Sequence, residues 1–141
     1  GSQRIYTPQM VVNGRDLFVG SNQDEITLAM AKAQETKILP ITITKNENSL
    51  NFMLPQAEEA GYRLWGFGFK KAHHKDIVIG ENKGLTIDYT TPAITYSNLG
   101  PWDGSAKTES FEQPEGDIDG IVIFAQKDGY GEITAAGKLV F

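Results

Sequence analysis

From about residue 38 onward the chain is built of short runs in which apolar and polar residues alternate, broken by Gly, Pro, Asn and Asp. Successive side chains of a strand point to opposite faces, so such runs predict half-buried β-strands. Candidate strands cover 39–44, 50–54, 62–69, 76–79, 85–89, 94–97, 107–111, 120–125 and 133–140. The alternation is clearest where Leu64, Gly66 and Gly68 interleave with Trp65, Phe67 and Phe69, and again in Leu85, Ile87 and Tyr89. Short strands separated by regular turn signals predict an antiparallel β-sandwich. Its core is expected to include Trp65, Phe67, Leu85, Ile87, Ile121, Ile123 and Val140.

The opening of the chain reads differently, as strand, turn, strand, helix. The apolar run 9–12 meets Asn13-Gly14, and a second run returns over 16–19. Asn-Gly is a two-residue hairpin signal because both positions need positive φ, which Asn tolerates and Gly adopts freely. A helix is expected from Ser21 or Asn22, with Asp24 and Glu25 favourably placed in its first turn. Ile26, Met30 and Ala33, with Ala29 beside them, give it one apolar face. The division expected is therefore a partial unit over 1–37 and a sandwich domain over 38–141, mainly β overall.

Composition narrows the function classes. At 141 residues, 40% hydrophobic and 22% charged, the chain has the make-up of a folded domain. A net charge of −5 argues against nucleic acid, whose phosphates require clustered Lys and Arg. No apolar stretch approaches the ~20 residues of a membrane span. There is no cysteine, which excludes disulfides, zinc-thiolate sites and thiol catalysis by this chain itself. Gly1-Ser2 reads as a scar of tag removal, leaving the native start open.

Three segments carry a resemblance. The run Ile5-Tyr6-Thr7-Pro8-Gln9-Met10-Val11-Val12-Asn13-Gly14-Arg15, with Gly20 and the helix after it, resembles the second half of thioredoxin-like folds. Its part from Tyr6 to Val12, then Gly80-Glu81-Asn82-Lys83-Gly84, then Leu99-Gly100-Pro101-Trp102-Asp103-Gly104, are similar to landmarks of the secreted bacterial family filed as domain of unknown function 1223. That resemblance implies a thioredoxin-like protein of the cell envelope, periplasmic or secreted, with a cysteine-bearing N-terminal half and a β-rich C-terminal domain. This chain would be the C-terminal part, truncated or cleaved from its parent.

The same resemblance makes Tyr6, Thr7, Pro8 and Gln9 a substrate-facing proline loop, with the Thr7–Pro8 bond cis and a protein substrate opposite it. An ordinary trans proline opening a strand is the alternative. Glu81, Asn82 and Trp102 are the candidate binding residues. Two glycines around 81–83 suit a tight connection, and no helix follows to bind phosphate. Trp102 would stack on a sugar or plug one end of the sandwich, and plugging is the preferred reading. Lys70, Lys71, His73, His74 and Lys75 read as a solvated hairpin tip rather than a metal site. The acidic residues Glu109, Glu112, Glu115, Asp117 and Asp119 read as a solubilising turn rather than a calcium loop. No metal, cofactor or catalytic residue is expected.

Two functions follow. In one, the parent is a thiol-disulfide or thioredoxin-like envelope protein of which this chain is an inactive part. In the other, the β domain is an interaction or ligand-binding module. A lone hairpin and helix cannot cover their own apolar faces. The segment is therefore expected to meet the missing N-terminal half, a second copy of the chain, or the β domain, with edge pairing between copies favoured.

Overall fold

The computed structural model describes residues 9–20, 22–76, 78–79, 84 and 86–141, and for 73–75 and 86–90 the backbone alone. The chain opens with the antiparallel pair β1 (Gln9–Val12) and β2 (Asp16–Val19). Asn13 and Gly14 have φ of 50° and 73°, the left-handed conformations the Asn-Gly pair was chosen for. Val12 pairs with Asp16, so the loop holds three residues rather than the two expected, Arg15 being the third, and the Arg15 N–H bonds the Val12 carbonyl at 3.1 Å.

Helix α1 (Gln23–Glu35) starts where a side chain satisfies its free N–H groups: Asn22 accepts from the Glu25 N–H at 3.2 Å. Its buried stripe is narrower than expected. Ile26, Ala29 and Ala33 pack on Val12 and Phe18, whereas Met30 stays 50% exposed. A two-stranded sheet is too narrow to cover a full helix face, so the residue bordering the stripe is left outside.

The strands that follow are β3 (Leu39–Pro40), β4 (Thr42–Lys45), β5 (Ser49–Leu54), β6 (Tyr62–Phe69) and β7 (Ala72–Asp76). They continue with β8 (Thr86–Thr90), β9 (Ala93–Trp102), β10 (Lys107–Glu112), β11 (Gly120–Lys127) and β12 (Ile133–Val140). One sheet has the order β3-β12-β11-β6-β9 and faces a second of order β10-β5-β4, while β7 and β8 form a separate ribbon. This is the mainly β, sandwich-like fold expected. Among the described residues the pairings are antiparallel save the short one between β3 and β12, which is parallel.

Side chains from both sheets make one core. Ile41, Ile43, Leu50, Phe52 and Leu54 meet Tyr62, Leu64, Trp102, Ile121, Ile123, Ala125 and Ala135. Ile121 and Ile123 are fully buried, as expected, but Trp65 and Phe67 lie on the other face of β6 and are half-buried. Val140 is likewise 42% exposed, and Leu85 and the side chain of Ile87 lie outside the described residues. The reason lies in the glycines of β6. Leu99, Thr95 and Ile118 fill the space inside, so that a Cβ on Gly66 would stand 3.3 Å from Leu99 and one on Gly68 2.5 Å from the Thr95 hydroxyl and 3.0 Å from Ile118. With that volume taken, Trp65 and Phe67 face outward, while Phe69, past a shift of register, is buried.

Two further expectations change. Ala72–Asp76 forms β7, with His73 and His74 opposite Tyr89 and Asp88, so His73, His74 and Lys75 are strand, and only Lys70 and Lys71 lie in the connection from β6. The strand expected over 94–97 is longer, β9 running on through Gly100 and Pro101 to Trp102 before the chain turns.

The first unit touches the sandwich through its hairpin tip. The Ile133 N–H donates to the Asn13 carbonyl at 2.8 Å, and Arg15 pairs with Glu132 at 3.2 Å. A Cβ on Gly14 would come within 2.9 Å of the Gly131 carbonyl, so glycine permits this approach.

Candidate functional site

Two concave surfaces stand out, one on each unit. The first lies on the outer face of the five-stranded sheet. Because β6 turns Leu64 inward, Arg63 and Trp65 must face out. Register then sets their neighbours: Asn98 of β9 lies opposite Trp65, and Gln126 of β11 opposite Arg63. The connection from β11 to β12 closes one end. Gly129 and Tyr130, with φ of 78° and 57°, bend it sharply, and Tyr130 stands 83% exposed. Arg63, Trp65, Asn98, Gln126, Asp128 and Tyr130 line the resulting cleft of about 290 Å³, with Lys127 and Gly129 completing it.

Hydrogen bonds hold these polar groups in place. The Asn98 Oδ1 accepts from the Arg63 guanidinium at 3.2 Å and from the Gly100 N–H at 3.0 Å. The Gln126 amide donates to the Gly131 carbonyl at 3.0 Å, tying the bend to the sheet. Lys127 pairs with Glu59 at 3.0 Å and Glu132 at 3.3 Å. Their hydrogen bonds and charge, Glu59 first, raise the lysine pKa above its ordinary value. Beyond Trp65 the aromatic surface continues: Phe67 stacks on Phe124 at 5.4 Å and leans toward Tyr96 at 6.4 Å. Such a surface offers ring contact and hydrogen bonds together. Among the described residues no group of three metal-ligating side chains exists.

The second surface is a groove of about 440 Å³ between β2 and α1. Leu17 and Leu28 sit in it, 56% and 71% exposed, beside Phe18 and Ala29, with Arg15, Glu25 and Lys32 at its rim. Met10, Val11 and Val19 of the same two-stranded sheet are also exposed.

The candidate residues read from the sequence fall elsewhere. Tyr6, Thr7, Pro8, Glu81 and Asn82 lie outside the described residues, and Gln9 begins β1 with its side chain exposed. Trp102 is 2% exposed, its ring 5.1 Å from Tyr62 and its indole N–H on the Ser105 carbonyl at 2.9 Å. It plugs the core and offers no face to a sugar. Trp65 is the tryptophan that borders open space. Its signal was the strict alternation with Leu64, together with an exposed-type turn, Lys127-Asp128-Gly129-Tyr130, carrying an aromatic.

Of the acidic stretch, Asp117 and Asp119 lie against Lys70 at 2.8 and 3.7 Å, and Glu109 pairs with Lys107 at 2.8 Å. Among the described residues no helix is long and apolar enough to cross a membrane.

Among curated proteins, none matches the sequence. A crystal structure of an Agrobacterium tumefaciens protein is similar in fold, with a TM-score of 0.68 at 18% sequence identity. The likeness covers 97% of this chain and 63% of that one, so this chain spans less than two thirds of its length. A family profile described as protein of unknown function, DUF1223, matches residues 1–126, and the chain belongs to that family.

Proposed function

We propose that this chain is the C-terminal part of a larger thioredoxin-like protein of the bacterial cell envelope. In it, β1, β2 and α1 complete a unit whose remaining strands and helices come from the cysteine-bearing half, and the sandwich is an accessory domain. The observation that carries this reading is the bare apolar surface of the first unit. Leu17 and Leu28 line an open groove, and Met10, Val11 and Val19 are exposed on a sheet of only two strands. Two strands and one helix are marginal alone, and exposed apolar surface of this kind marks a docking site. The A. tumefaciens protein of similar fold has more than a third of its length beyond the region that matches. Without a thiolate the present chain exchanges no disulfides, and its part in a redox reaction would be to present the loop of Tyr6, Thr7, Pro8 and Gln9 to a protein substrate.

The parent gene tests this directly. Two cysteines separated by two residues, encoded upstream of Gln9, support the redox reading, and a parent without them removes it. A second reading, that the sandwich is a ligand-binding module, is favoured by the cleft beside Trp65.

A further inference from the structure

We infer that the cleft formed by β6, β9 and the β11–β12 bend binds an uncharged oligosaccharide, with sugar rings lying against Trp65 and Tyr130. The inference rests on the reading of the sandwich as a ligand-binding module and names the ligand class.

A sugar ring has an apolar face of C–H groups and an edge of paired hydroxyls. It is held where an aromatic surface adjoins side chains that donate and accept hydrogen bonds at close spacing. The cleft has that composition. Trp65 and Tyr130 supply the rings, and Asn98, Gln126, Arg63 and Asp128 the polar groups. Asn98 and Gln126 are fixed by bonds to Arg63, Gly100 and Gly131, so little side-chain freedom is lost on binding. At about 290 Å³ the cleft sits at the small end of the ~300–1,000 Å³ typical of small-molecule sites, room for a ring or two. Phe67 and Tyr96 lie two residues further along the same strands, about 7 Å away, and extend the aromatic surface for a longer chain.

Charge decides between sugars. Glu59 and Glu132 offset Lys127, which leaves Arg63 and Asp128, of opposite sign, on a molecule of net charge −5. A polyanionic glycan finds no positive field here. A peptide strand is disfavoured because the cleft lies on the face of the sheet, where β9, β6 and β11 satisfy one another's backbone groups.

The chain has two tryptophans, and their indole N–H signals in NMR report separately on the cleft and the core. The probes are cellohexaose, chitohexaose and maltohexaose, with para-nitrophenol as an aromatic compound that is not a sugar. At least one hexasaccharide should shift the Trp65 signal saturably while Trp102 stays put. Tyr130→Ala, at an exposed position that leaves the amide spectrum intact, should weaken that binding about tenfold or more. If para-nitrophenol shifts Trp65 and none of the hexasaccharides does, the saccharide class is wrong and the ligand-binding module stands. If no probe moves Trp65, or if Tyr130→Ala leaves sugar affinity unchanged, the cleft is not the site and the proposal falls.

Discussion

The ring of Trp102 lies against that of Tyr62, their centroids 5.1 Å apart and their planes inclined by 35°, at the end of the sandwich where β6 and β9 meet. The contact depends on the loop after the tryptophan. Asp103 accepts from the Ser105 N–H at 3.0 Å and its hydroxyl at 2.6 Å, and the turn so formed points the Ser105 carbonyl at the indole N–H. Removing a fully buried ring of this size costs about 3–5 kcal/mol. Trp102→Ala should therefore lower the unfolding free energy by about that amount in urea, and Trp102→Phe by less. A loss below about 1 kcal/mol for the alanine would contradict the packing described.

Gly104 follows in the same turn, with φ of 86°. Any Cβ there would collide with the Glu59 carbonyl, whereas one on Gly129, at φ of 78°, meets nothing within 4 Å. Gly129→Ala should cost about 1–2 kcal/mol, the backbone strain alone. Gly104→Ala should cost clearly more in the same denaturation assay, because the loop must also move.

The Ser105 hydroxyl and then its N–H hold the Asp103 carboxyl below the ordinary aspartate pKa. A carboxyl depressed in the folded state contributes stability that is present above its unfolded pKa of ~3.9 and is lost as pH falls through the folded value. Asp103→Asn should flatten the acid limb of the stability curve below about pH 4, and an NMR titration should place the Asp103 midpoint below that of exposed aspartates.

The hairpin tip makes a separate, smaller contact. Arg15→Ala should cost only ~0.2–1 kcal/mol, because its pair with Glu132 is solvent-exposed. Gly14→Val should do more, since its side chain meets the Gly131 carbonyl. The expected sign is faster hydrogen exchange at the Ile133 amide, which now donates to Asn13.

What was legible in the sequence is what local chemistry decides. Asn13-Gly14 places the first hairpin, Asn22 starts the helix, and alternation locates most of the strands. The inner face of β6 was not legible. Leu64, Gly66 and Gly68 compete there with Trp65 and Phe67, and size argues for the aromatics. The outcome turns on Leu99, Thr95 and Ile118, distant in sequence, filling the space over the glycines. Strand β9 was shortened for a related reason. Gly100-Pro101 has the composition of a turn, but Gly100 at φ of 93° sits in an irregularity opposite Leu64 and Trp65, beyond which pairing resumes. The cleft was invisible because Arg63, Asn98 and Tyr130 come from three separate stretches of chain that only the strand order brings together.

The central claim is that β1, β2 and α1 are one part of a unit completed by further polypeptide. Amide hydrogen exchange, with sedimentation to record the oligomeric state, tests it most directly. In the monomeric chain, Met10, Val11, Leu17 and Val19 should exchange far faster than Ile121 and Ile123 of the core. Adding the N-terminal half of the parent, or self-association at high concentration, should slow them by at least about tenfold. If the chain is monomeric and these amides are already as protected as β11, with no change when the N-terminal half is added, the unit is complete as it stands and the account is wrong.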